Sequence, residues 1–180
     1  MSNTHLTRQI GEHLVVAELG RHGIVATPFA GNMPDYDVVA LTPTGQSIYI
    51  QVKAMNSGDW QLNAKQFLLI EYDKELNQQR NAGLRLPCVT PLFFVLVKII
   101  GSGKDEFYVL TYADIQRLVL EHYTASARES THFALRRAYV LPYKVEGLSD
   151  AHFATKAGPN LSLNPDASPA ALARRPLGAG

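Results

Sequence analysis

The stretch from Val38 to Lys53 constrains this chain more than any other. Val38 to Leu41 is an apolar run, Thr42-Pro43-Thr44-Gly45 is turn chemistry, and Ser47 to Lys53 alternates apolar and polar residues. Two antiparallel strands joined by a short loop are therefore expected. Because strand side chains alternate with a period of two, Ile48, Ile50 and Val52 fall on one face and Tyr49, Gln51 and Lys53 on the other. With the turn centred near Thr44 and Gly45, paired positions sum to about 88 or 89. That register sets Asp37 across from Gln51 or Val52, so a carboxylate, an amide and an ammonium group converge.

This convergence has a chemical meaning. A carboxylate and an amide oxygen are hard donors suited to Mg²⁺, and a nearby ammonium group can polarise an attacking water or a phosphate oxygen. Hydrolysis of a phosphodiester uses those parts. The plainer alternative is a hairpin whose polar face is simply solvated.

The sequence around the hairpin adds a resemblance. Asp37 heads an apolar strand, a turn follows, a second apolar strand ends in Gln51-Val52-Lys53, and an upstream helix bears Gly11-Glu12. Over residues 8 to 60 this order resembles the PD-(D/E)XK nuclease superfamily. The resemblance implies an α/β fold with a restriction-endonuclease-like mixed central β-sheet flanked by helices. It implies a metal-dependent endonuclease hydrolysing DNA phosphodiester bonds, with Mg²⁺ or Mn²⁺ as cofactor and DNA as partner. Asp37 would be a metal ligand, Lys53 the catalytic lysine and Glu12 the acid from the first helix. Gln51 stands where Asp or Glu is commonest, and its Gln-x-Lys pattern is similar to the variant in relatives of the Mrr restriction enzymes. Asp35, in the literal Pro34-Asp35 pair, competes with Asp37 for the ligand role. Cutting both strands would call for a homodimer. Since Gln51 removes one negative charge from the metal site, a second reading stands beside the first: a catalytically inactive nuclease-fold domain that binds nucleic acid or a protein partner.

Composition narrows the remaining choices. The chain has 180 residues, 46% of them hydrophobic and 18% charged, which suits one soluble domain with a core. That domain is expected over 1–153. From 154 to 180 the sequence turns to Gly, Pro, Ser, Asn and Ala, which cannot bury a core and reads as a flexible tail. No apolar run approaches the ~20 residues that span a bilayer, and Met1-Ser2-Asn3-Thr4 lacks a basic start, so a cytoplasmic protein without a membrane partner is expected. Cys88 is the only cysteine, which excludes an internal disulfide and suggests a small buried apolar residue. The formal net charge of +1 gives no global attraction to nucleic acid. Phosphates would have to be held by a local cluster, for which Arg128, Arg136 and Arg137 are the candidates. Trp60 could stack on a base or pack in the core.

Along the chain, a first helix is expected from Thr4 to His22. Leu6, Ile10, Leu14 and Ala17 form its main apolar stripe, widened by Val15, Val16 and Leu19. Glu12 lies either on a flank facing the sheet, where an ionised carboxylate needs a cation, or on the helix's wet side. Ile24 to Ala26 starts a strand, Trp60 to Leu62 is a short one, and 64–81 reads as a helix ended by Gly83. Pro91 to Ile100 is dense enough in apolar residues for a central strand covered on both faces. Gly101-Ser102-Gly103-Lys104 lacks a phosphate-binding loop's flanking residues, having Lys98 and Asp105 in their places, and reads as a turn. Phe107 to Leu110 returns the chain, and Thr111 with Asp114 starts a helix burying Ile115, Leu118, Val119 and His122. Ala138 to Pro142 is expected as an edge strand. The scattered histidines and the lack of a Gly-x-Ser-x-Gly elbow leave zinc and serine hydrolase readings unsupported.

Overall fold

A computed structural model describes residues 4–29, 35–125 and 132–145, with Leu148 and Phe153. Arg128 and the segment 154–180 lie outside the described residues. The elements in order are α1 (Thr4–Arg21), β1 (Val25–Pro28), β2 (Val38–Leu41), β3 (Ser47–Met55), β4 (Trp60–Asn63), β5 (Leu68–Asp73), β6 (Gln78–Leu84), β7 (Leu92–Lys98), β8 (Glu106–Thr111), α2 (Tyr112–Ala125), β9 (His132–Leu135), α3 (Arg137–Val140) and β10 (Lys144–Val145). Short 3-10 turns cover Ala64–Gln66 and Leu141–Tyr143.

Six strands form the central sheet in the order β1-β2-β3-β7-β8-β10. All neighbours are antiparallel except β3 and β7, which run parallel. The expected mixed α/β sheet is therefore present. β2 and β3 pair Val38 with Ile50 and Ala40 with Ile48, the lower of the two expected registers. Continuing it by one residue sets Asp37 opposite Gln51. β7 is central, as its unbroken apolar run requires, and Leu92 to Val97 are all buried.

The sheet separates two apolar layers. On one face Val15 and Leu19 of α1 pack with Ile48, Ile50, Val52, Phe93, Val95 and Val109, joined by Leu148 and Phe153. Phe153 meets Phe93 edge to face, with ring centroids 5.0 Å apart. On the other face, Leu92, Phe94 and Leu96 pack with α2 through Ile115, Leu118 and Val119, and with Trp60, Leu62 and Phe67. Thr111 and Asp114 cap the start of α2 reciprocally, the Thr111 amide donating to Asp114 Oδ2 at 3.0 Å and the Asp114 amide to Thr111 Oγ1 at 3.0 Å.

α1 forms where expected but docks through a different stripe. Leu6 is 52% exposed and Ile10 is 37% exposed, whereas Gly11, Glu12, Val15 and Leu19 are buried. Gly11 decides the matter. A Cβ there would collide with the Ala54 side chain and crowd Val52. Only a glycine lets the helix axis come this close to β3, and the close approach brings Glu12 down against the sheet.

The expected helix over 64–81 is instead the 3-10 turn followed by the β5–β6 hairpin, which pairs Glu71 with Arg80 and Asp73 with Gln78. The charged stretch Asp73-Lys74-Glu75, expected within that helix, ends β5 and enters the turn, and Gln78 to Arg80 begin β6. Asp73 Oδ1 accepts the amides of Glu75 and Leu76 at 3.0 and 3.1 Å, and Asn77 adopts φ 52°, a left-handed conformation that asparagine tolerates and a helix interior does not use. The Glu71–Arg80 ion pair then closes across the strands at 2.9 Å. Cys88, expected buried, is exposed in the segment after this hairpin.

The expected edge strand over Ala138–Pro142 is also corrected. Those residues enter α3 and the second 3-10 turn, and β10 is the edge strand on β8. Glu106 fixes this corner. Its carboxylate takes two bonds from Arg137, Nε at 2.9 Å and NH2 at 2.7 Å, one from Lys144 Nζ at 3.1 Å and one from Tyr108 OH at 2.7 Å. Burial pushes the Glu106 carboxyl up, but the bonds from Tyr108, Arg137 and Lys144 outweigh it and hold the pKa at about 2.

Two stability measurements test these packing arguments. Gly11→Ala is expected to cost about 1–3 kcal/mol of unfolding free energy by overpacking, and Ala54→Gly in the same chain should recover most of that loss in a denaturant double-mutant cycle. A depressed carboxylate pKa adds stability that is present above the ordinary value of 4.5 and lost as the pH falls toward 2. The urea midpoint of the parent chain should therefore drop faster over that acid window than that of Glu106→Gln.

Candidate functional site

β3 is nine residues long and β2 is four, so among the described residues the last part of β3 has no strand partner on the β2 side. A cleft of about 420 Å³ opens there, lined by Arg8, Asp37, Gln51, Lys53, Asn56 and Asp59 among others. The strand-length mismatch is the local reason for the site.

It also leaves a backbone donor of β3 without a ladder partner, and Asp37 supplies one. Asp37 Oδ2 accepts the Val52 amide at 2.8 Å and a hydrogen bond from Gln51 Nε2. The Asp37 amide donates to the Ile50 carbonyl at 2.9 Å and its carbonyl accepts from Phe29 at 2.8 Å, so the backbone at this position is pinned from both neighbouring strands. Alternation along β3 places Gln51 and Lys53 on the face opposite Ile50 and Val52, and both line the cleft with Asp37. The sequence-derived convergence of these three residues is what the coordinates contain.

Glu12 arrives from the helix layer and reaches the same group through Arg8. Arg8 Nε donates to Glu12 Oε1 at 2.8 Å and Arg8 NH2 to Asp37 Oδ1 at 3.4 Å. Arg8 was not singled out from the sequence, although its spacing of four residues from Glu12 on a helix was a readable signal. Asp37 and Glu12 have side chains only 4% and 11% exposed, whereas Arg8 is 47% exposed. The acids are fixed and the cation is at the surface.

Burial dominates the electrostatics. It pushes the Asp37 carboxyl above the ordinary carboxylate value, and Glu12 adds to this, while the Val52 amide, Arg8 and Lys53 pull the other way. Burial likewise pushes the Lys53 ammonium below its usual value; Asp37 opposes that and Arg8 adds to it. An acid and an amine that are both costly to ionise at neutral pH stand beside each other, a combination common at reactive sites.

Other sequence-derived candidates fall elsewhere. Asp35 lines a separate cleft with Arg85, Cys88 and Tyr112, so it is not a neighbour of Asp37 in the larger one. Trp60 is 2% exposed, and its indole N–H donates to the Val97 carbonyl at 3.2 Å. It packs edge to face on Tyr108 and offers no face for a base. Arg137 is committed to Glu106, and Arg136 is an exposed residue preceding α3. Neither lines the large cleft.

The donor chemistry for a divalent cation can be judged from these contacts. Among the described residues no group of three or more His, Cys, Asp or Glu side chains gathers to hold a metal. The oxygens on hand in the cleft are Asp37 Oδ1 and the Gln51 amide oxygen, left over because Gln51 spends its Nε2 on Asp37; Glu12 does not line the cleft and meets this group through Arg8. These are hard donors of the kind that fits Mg²⁺ or Mn²⁺ with water completing the shell.

No protein-family model matches the sequence, and no curated protein matches it. Among solved structures the chain is similar to the bacterial homing endonuclease I-Ssp6803I, at 13% identity over 76% of this chain and 80% of that one, with a TM-score of 0.41. Among the described residues no helix is long and apolar enough to cross a membrane.

The raised Asp37 pKa yields a stability prediction. A carboxyl whose folded pKa is raised contributes stability below its ordinary value of 3.8 and loses it as the pH rises through the folded value. At neutral pH the buried charge is therefore a liability. Asp37→Asn, which keeps an oxygen for the Val52 amide, should raise the melting temperature at neutral pH, with the advantage shrinking in acid. A scanning-calorimetry series against pH checks this.

Proposed function

We propose that this chain is a PD-(D/E)XK-type nuclease that hydrolyses DNA phosphodiester bonds with Mg²⁺ or Mn²⁺. The observation that carries the reading is the meeting of Asp37, Gln51 and Lys53 at the open edge of β3, in a cleft where burial perturbs both the acid and the amine. Asp37, Gln51 and Glu12 would hold the cation. A bound Mg²⁺ would polarise a phosphate oxygen and lower the pKa of an attacking water.

The remaining chemistry belongs to the chain. Lys53, with its ammonium destabilised by burial, can take a proton from the water or, when charged, neutralise the negative charge that builds on phosphorus. Asp37 is held rigidly by the Val52 amide on Oδ2, so its other oxygen, Oδ1, keeps a fixed direction. Its site on the rigid sheet rather than on a loop favours the sub-ångström positioning that such chemistry needs.

A second reading, of an inactive domain that binds nucleic acid or a protein partner, has one observation in its favour. Arg8 and Lys53 already offset Asp37 and Glu12 in formal charge, so these four groups are balanced without a divalent ion. Plasmid nicking in Mg²⁺ separates the two. Lys53→Ala and Asp37→Ala should each lower the rate by a factor on the order of 10² or more, with circular dichroism unchanged. Cleavage that survives both substitutions ends the nuclease reading; no cleavage by the parent chain, together with retained DNA binding, favours the inactive domain.

A further inference from the structure

We infer that Arg8 is the resident counter-cation of the Asp37–Glu12 pair and leaves it when a DNA phosphate enters the cleft, so that one side chain couples DNA binding to divalent-metal binding. This rests on the nuclease reading of the cleft.

The contacts are unequal in a way that suits such an exchange. Arg8 holds Glu12 firmly at 2.8 Å but Asp37 only at 3.4 Å through a single nitrogen, near the outer limit for an N–H···O bond. Its guanidinium has five donors, so most of its capacity is uncommitted in these two bonds. The side chain is 47% exposed and lines the cleft mouth, while both acids are buried. Swinging out breaks one weak and one strong ion pair in a partly hydrated setting, and the planar fork matches a phosphate as well as a carboxylate.

Charge arithmetic supplies the direction of coupling. With Arg8 in place the group is neutral, and a divalent cation added to it would meet two positive neighbours. With Arg8 drawn onto a phosphate, only Lys53 still offsets Asp37 and Glu12, and the net negative charge attracts the metal. Linkage makes the effect reciprocal: if DNA strengthens metal binding, metal strengthens DNA binding by the same factor.

Calorimetric titration of Mg²⁺ into the full chain tests this, with and without a short phosphorothioate DNA duplex that resists hydrolysis. For the parent chain the duplex should tighten Mg²⁺ binding by about 5- to 150-fold. Arg8→Gln should bind Mg²⁺ more tightly than the parent without DNA and gain much less from the duplex, while Arg8→Lys should retain part of the coupling. Equal metal affinity in the parent and Arg8→Gln, or undiminished coupling in Arg8→Gln, overturns the role of Arg8 and leaves the nuclease reading standing. No Mg²⁺ binding by either protein, with or without the duplex, overturns both.

Discussion

The seating of α1 on β3 at Gly11 is the contact on which the rest of this structure depends. Side chains on both sides of a helix–sheet interface normally hold the two apart, and close packing leaves no slack for a misplaced methyl group. With hydrogen at position 11 the helix backbone comes down onto Ala54 and Val52. Val15 and Leu19 then fill the core one and two turns on, and Arg8 and Glu12 are delivered one turn back and beside it to the open end of β3. One small residue thereby sets both the hydrophobic layer and the polar site.

That polar site exists because β2 is short. A longer β2 would have paired the end of β3 with backbone carbonyls and closed the cleft. Instead a carboxylate takes over the backbone's role at Val52, and the group that satisfies the sheet is the same group that can face a ligand. Burial makes this costly. Asp37 and Lys53 are each disfavoured in their charged forms; Arg8 and Lys53 offset part of that cost at Asp37, while Glu12 adds to it. The rigid sheet around the site holds these disfavoured charges in place. The Glu106 network on β8, two strands across the sheet, is the contrast: there the hydrogen bonds outweigh burial, the carboxylate is comfortable, and its arginine is spent on structure.

Much of this was legible in the chain because it depends on local rules. Period-two alternation and the Thr-Pro-Thr-Gly turn yielded the β2–β3 register and the shared face of Gln51 and Lys53. The unbroken apolar run of β7 identified the central strand. The failures came where two local patterns compete or where a distant partner decides. Residues 68–84 contain a helix-like spacing of apolar residues and a turn built on Asp73 and Asn77, and the turn wins because its side chains satisfy backbone donors that a helix would use internally. Ala138 to Pro142 looked like a strand until Arg137 found Glu106, a partner 31 residues away.

The sequence by itself determined the alternation of β3, the carboxylate at the head of β2 and the central place of β7, since these follow from backbone periodicity and turn chemistry within a few residues. Tertiary structure alone decided which stripe of α1 docks, that Trp60 is core rather than platform, and that Arg8 bridges the two acids. Each of those outcomes is a contest between surfaces for the same space, settled by whichever side chain, here the missing one of Gly11, allows the closest approach.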